Sequence, residues 1–117
     1  MHEITCAKTF NITDEDIDDI MADALDSGIG YWCGEVEVVG DYLGEYASDQ
    51  ISRGGTLVFH DAEDPEDVHA MDLESFLKGY RMSIELGYFS GDLDNEYDAE
   101  TADVIVQLAL FDDVIYR

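Results

Sequence analysis

A chain of 117 residues fits one domain, residues 1–117, of ordinary size. Its 29 Asp and Glu face only five Lys and Arg, a formal charge of −24, and such a surface repels nucleic acid and anionic lipid. With 46% hydrophobic residues and a single proline it is no disordered acidic tail, and no run approaches the roughly 20 apolar residues of a membrane span.

The first element is strand-like. Ile4, Cys6, Lys8 and Phe10 alternate with Thr5, Ala7 and Thr9 over residues 2–10, with weak contrast between the two faces. Thr13 then caps a helix, with Asp16 three residues on completing a near capping box. Asp14, Glu15 and Asp16 suit the positive end of the helix dipole. Ile17, Ile20, Met21, Ala24 and Leu25 recur at helical spacing, and Gly28 is the expected C′ stop, so the pattern predicts a helix over 14–27. Residues 29–34 form an apolar connector in which Trp32 reads as buried.

Residues 35–39 read as a strand ending at Gly40, and 41–55 stay open between a short helix and a covering loop closed by the turn Arg53-Gly54-Gly55. Residues 56–60 form a clear β run, followed by an acidic loop around Pro65 and a second strand at 68–71. Asp72 caps a second helix with Leu73, Phe76, Leu77, Tyr80 and Ile84 inward and Gly87 as its stop. After an acidic loop, Asp98 caps a third, with Ala102, Ile105, Val106, Ala109 and Leu110 inward, and Val114–Tyr116 suggests a short edge strand. The class is α+β, a small antiparallel sheet packed against two or three helices.

The first helix carries the main signal. Asp14, Glu15, Asp16, Asp18, Asp19, Asp23 and Asp26 lie on it without one Lys or Arg, and Asp16, Asp19, Asp23 and Asp26 follow i, i+3, i+7, i+10. Like charges at such spacing cost roughly 0.2–0.5 kcal/mol a pair, and Asp is a poorer helix former than Glu. Stability alone does not select this face. From 14 to 26 the charges come at one per roughly 2.6 Å of helix axis, against one per about 1.7 Å for duplex DNA and about 3.4 Å for one strand. A cleft lined with Lys and Arg for DNA would attract it. Further acids, Glu63, Asp64, Glu66 and Asp67 in the hairpin loop and Asp92, Asp94 and Glu96 before the third helix, extend that track if they fall on the same side.

Other chemistry is weakly encoded. Acids from Asp92 to Asp103 match the ligand positions of a calcium loop, but Tyr97 stands where its glycine must be, and the last ligand is Asp. His60 and His69 face each other across the hairpin if its loop is centred between 64 and 65, yet with Cys6 or Cys33 they match no standard zinc spacing. The two cysteines read as reduced thiols of a cytoplasmic protein, with their pairing left open. No nucleophile elbow, zinc-protease motif or phosphate loop is present, so the expectation is a non-enzyme without metal or cofactor. Tyr88, Phe89 and Tyr97 are either core or interface anchors. Salt adaptation would also make a chain acidic, but it acts over a whole surface and here the acids are bunched.

Residues 13–21, 28–33, 38–48 and 51–57 resemble a group of small uncharacterised proteins of bacterial mobile elements and prophages, a likeness covering most of 13–77. In size and charge the chain is also similar to DNA-mimicking anti-CRISPR and anti-restriction proteins. That resemblance implies an inhibitor in the bacterial host cytoplasm that occupies the basic DNA-binding cleft of a CRISPR effector or other defence protein. It would touch neither nucleic acid nor membrane. The alternative is an acidic interaction module for a basic partner, and the oligomeric state stays open.

Overall fold

A computed structural model of the chain describes residues 2–5 and 9–116. Two small antiparallel sheets and three helices form an α+β globule, the expected class. The N-terminal segment is a hairpin rather than one strand: β1 (His2–Thr5) pairs with β2 (Thr9–Ile12), Ile4 opposite Phe10. Cys6 and Lys8 lie outside the described residues.

Helix α1 (Asp14–Asp23) begins as the sequence predicts. The Thr13 hydroxyl accepts from the Asp16 amide at 3.0 Å while the Asp16 carboxylate accepts from the Thr13 amide at 2.9 Å. Ile17, Ile20 and Met21 are its buried stripe. It runs on through a π turn, Ala24–Gly28. Gly28 does close the element, but not through a left-handed cap. A Cβ there would stand 2.8 Å from the Ala99 carbonyl, so glycine lets this turn meet the start of the third helix.

The second sheet has the order β3 (Cys33–Val38), β4 (Leu57–Asp61), β5 (Val68–Met71). Between β3 and β4 a short 3-10 turn (Ala47–Asp49) settles the stretch that the sequence left open. Gln50 is buried there and holds the loop, accepting from the Leu43 amide and donating to the Tyr46 carbonyl, both at 2.8 Å. The β4–β5 register is Phe59 with His69 and His60 with Val68, one residue away from the expected facing histidines. Because side chains alternate along a strand, that single step separates the two rings onto opposite faces. His69 packs edge-on against Phe111 at 4.6 Å while His60 looks outward.

Helices α2 (Leu73–Glu85) and α3 (Ala99–Phe111) carry the expected caps, Asp72 with Ser75 and Asp98 with Thr101. Gly87 follows α2 with φ 83°, as a C′ glycine should. Removing the α2 cap in Asp72→Ala is expected to cost about 1 kcal/mol, read as a lower urea midpoint at unchanged slope. The Ser75 amide and hydroxyl hold the Asp72 carboxyl below its usual value. A depressed acid stabilises the fold above its unfolded pKa and loses that contribution as pH falls through the folded value, so the variant and the parent converge in acid.

Helix α3 is the central element, packed by α2, α1, the π turn and β5. Ala102, Ile105, Val106, Leu108 and Ala109 are buried, and so are Thr101, Asp103 and Gln107. A helix buried on nearly every side has no single apolar stripe, and Asp103, the last acid of the calcium-loop spacing, sits inside. Its carboxylate accepts from Trp32 Nε1 at 2.8 Å, Gln107 Nε2 at 2.9 Å and the Tyr31 hydroxyl at 2.5 Å. Burial and this carboxylate push the Tyr31 phenol up to about 12, so it remains a donor at neutral pH.

The C-terminal segment forms no edge strand. Gln107 Oε1 accepts from the amides of Ile115 and Tyr116 at 2.9 and 2.8 Å, a side chain substituting for a neighbouring strand. This holds the Tyr116 ring flat on buried Trp32, with centroids 4.9 Å apart.

Candidate functional site: the acidic face of α1

The α1 carboxylates divide between two flanks. On one, Asp14 meets His2 Nε2 at 2.7 Å, and Asp18 accepts from the Ser52 hydroxyl at 2.6 Å. Hydrogen bonding to His2 lowers the Asp14 carboxyl, whereas burial raises that of Asp18. On the other flank Asp16, Asp19 and Asp23 line a groove of about 350 Å³ whose far wall is Leu93, Asp94 and Tyr97. The Tyr97 hydroxyl donates to Asp23 Oδ2 at 2.6 Å, bolting the 92–97 loop to the helix. Burial, then the Asp23 carboxylate, drives the Tyr97 phenol far above its ordinary value, so this bolt does not ionise. Phe89, which the sequence left as core or anchor, is buried edge-on against Tyr80 and Tyr97.

Asp19 and Glu15 are exposed without a hydrogen bond or ion pair among the described residues. Asp26 is exposed too but does not line the groove. It lies in the π turn, where each residue advances less around the axis, so its step from Asp23 falls short of the stripe. Asp92 folds back on its own loop, accepting from the Asn95 side-chain amide at 3.0 Å and from the Asp94 and Asn95 backbone amides at 3.2 Å, and the first of these most of all lowers its carboxyl. Asp94 closes the groove, and Glu96 lies exposed beside Phe10 and Tyr88. Glu63, Asp64, Glu66 and Asp67 are exposed at the tip of the β4–β5 loop and do not line the groove. Asp61 organises that loop, accepting from the amides of Glu63 and Asp64 and from the Tyr116 hydroxyl.

Among the described residues the cations leave the groove uncovered. Lys78 binds Asp112 and the Ala109 carbonyl at the C-terminal end of α3, where a cation suits the dipole. Arg81 pairs with Glu85 one turn along α2. Arg53 lies against Gly44, and its field reaches Asp14 and Asp18 on the opposite flank. Neither the calcium loop nor the histidine–cysteine site forms as spaced. Asp98 is a helix cap and Asp103 is buried against Trp32, while buried Cys33 donates weakly to its own strand, at the Glu35 carbonyl.

One group of possible metal ligands was not anticipated. Glu35, Glu37 and His60 present ligand atoms within 4.8 Å of one another on the outer face of the β3–β5 sheet. The sequence signal was the Glu-Val-Glu alternation, which places both acids on one face. It became readable only once the β3–β4 register was known.

No protein-family model, curated protein or solved structure matches this chain. Among the described residues no helix is long and apolar enough to cross a membrane.

Proposed function

We propose that the chain is a non-enzymatic, anti-CRISPR-type inhibitor that mimics DNA and occupies the basic cleft in which a CRISPR effector receives its target duplex. The observation that carries this reading is the groove in which Asp16, Asp19, Asp23 and Asp94 gather on one surface, with no cation over them among the described residues. Basic side chains that normally displace counterions from phosphates would displace them here for the same entropic gain. Rigidity matters because a preformed anionic surface loses little entropy on docking. Tyr97 and the Thr13 capping box supply that rigidity.

The test is competition between the purified protein and target DNA for a purified effector. With four phosphate-like contacts the logarithmic salt slope is about −3.6, so the protein's own affinity for the effector, measured directly without DNA, should fall about a hundredfold between roughly 50 and 200 mM salt. Changing Asp16, Asp19, Asp23 and Asp94 to Asn should abolish most of it at the lower salt. Asn still accepts the Thr13 amide and the Tyr97 hydroxyl, so the charge is removed while the hydrogen bonds stay. Binding that ignores both salt and these four substitutions would overturn the reading.

A second reading, a module for a basic protein partner, draws on the exposed Tyr42, Leu43 and Tyr46 of the β3–β4 loop. Substituting those three would then weaken binding more than substituting the groove acids.

A further inference from the structure

The outer face of the β3–β5 sheet carries a second arrangement, independent of the α1 groove. A register shift between Cys33 and Glu35 sets Glu35 opposite His60, and Glu37 follows on the same face two residues on. Loop geometry fixes the ring of His60: its Nδ1 lies 2.7 Å from the Pro65 carbonyl oxygen. A carbonyl can only accept, so Nδ1 carries a hydrogen, and in the neutral ring Nε2 holds the lone pair. Nε2 is shut off from solvent and makes no well-directed hydrogen bond, yet Glu37 Oε1 stands only 2.8 Å away. Two lone pairs facing each other at that distance repel unless a positive centre lies between them, either a proton that makes the contact an ion pair or a metal ion in its place. A ring held by a backbone carbonyl through one nitrogen, with the other turned toward carboxylates, is how proteins orient metal-binding histidines.

We propose that Glu35, Glu37 and His60 bind one Zn²⁺ ion, with its fourth coordination position open to water. One imidazole nitrogen and two carboxylate oxygens form a donor set that zinc accepts in tetrahedral geometry. Calcium and magnesium, which take oxygen ligands, gain nothing from the imidazole. Tetrahedral zinc with bonds of about 2.1 Å needs ligand atoms about 3.4 Å apart. The present separations reach that by small rotations of two exposed glutamates. The ion would cancel the two carboxylate charges and clip β3 to β4 and the Pro65 turn. Cys33 takes no part, because it is buried in the core.

The experiment is calorimetric titration of the full chain with Zn²⁺ in excess Mg²⁺, which occupies the diffuse sites of an acidic surface. One equivalent of Zn²⁺ should persist, and Co²⁺ in its place should give the intense visible bands of a tetrahedral site. His60→Gln and Glu37→Gln should each weaken that equivalent at least tenfold. Glu35→Gln, at an exposed position that the fold does not need, should do the same if either of the others unfolds. The triple Asn variant at Asp16, Asp19 and Asp23 should leave it unchanged. Zinc lost entirely to Mg²⁺, or an equivalent that survives Glu35→Gln and His60→Gln in folded protein, would overturn the assignment. The outcome is separable from the proposed inhibition, which is assigned to the α1 groove and tested by its own Asn variants.

Discussion

Gly79→Ala is expected to destabilise the protein by about 3 kcal/mol, the upper end of what overpacking a core costs. Gly79 lies in the middle of α2, fully turned toward α3. A Cβ there would stand 2.5 Å from the Ile105 carbonyl oxygen, 2.6 Å from the Ala109 nitrogen and 2.8 Å from the Ala109 Cβ. Two of those three atoms are helix backbone, so no rotamer change relieves them. The helices must separate, and Phe76, Tyr80 and Ile105, all with 0% exposure, lose contacts as they do. Alanine's better helix propensity returns only about 1 kcal/mol. Urea unfolding at fixed salt reads the result, and a loss below about 1 kcal/mol would mean that α2 and α3 do not approach this closely. Adding Ala109→Gly should not rescue the variant, because the Ile105 oxygen and Ala109 nitrogen remain. This close approach matters beyond stability: α3 also contacts α1 and the π turn that present the acidic groove.

How much of this was legible in the sequence varies by element, for physical reasons. Caps are local chemistry, and Thr13, Asp72 and Asp98 each mark a helix start that the structure bears out. Pairing is not local. The pairing of β1 with β2 hid because neither Thr5 nor Thr9, at the facing strand ends, is a strong turn residue. The His60–His69 register was missed by one residue, since the loop centres on Asp64 rather than between 64 and 65. That small difference decided whether two histidines faced each other, and it placed His60 beside Glu35 and Glu37 instead. Burial of polar groups was the least legible. Nothing in the composition marks Asp103 or Gln107 as interior, because the partners Trp32 and Tyr31 come from a distant part of the chain and Tyr116 folds back past the end of α3. For the acidic helix the spacing alone placed Asp16, Asp19 and Asp23 on one side, and it required Tyr97 to bring Asp94 to join them.

Raising NaCl from about 0.1 M to 1 M is expected to stabilise the fold by at least about 3 kcal/mol, a large share of a typical domain's 5–15 kcal/mol. The cause is self-repulsion of the −24 charge. A radius of gyration of 13.2 Å corresponds to a sphere of about 17 Å. Charge smeared on that sphere repels itself with about 26 kcal/mol in 0.1 M salt and about 10 kcal/mol in 1 M. The unfolded coil, about two and a half times larger, is relieved of only about 3 kcal/mol over the same range. The difference of about 12 kcal/mol is a ceiling, lowered by proton uptake and by counterions held close to the acids. Thermal unfolding in a chloride series measures the gain; sulfate would confuse it by strengthening hydrophobic burial. A midpoint that does not move between 0.1 and 1 M would mean that bound cations already neutralise the surface, and the groove would then have no free anions to offer. The same salt that strengthens the fold should weaken direct binding to the effector, because one effect relieves repulsion within the protein and the other screens attraction to a basic cleft. Opposite signs in the two titrations separate a decoy from a chain adapted merely to live in brine, for which stability and activity would both rise with salt.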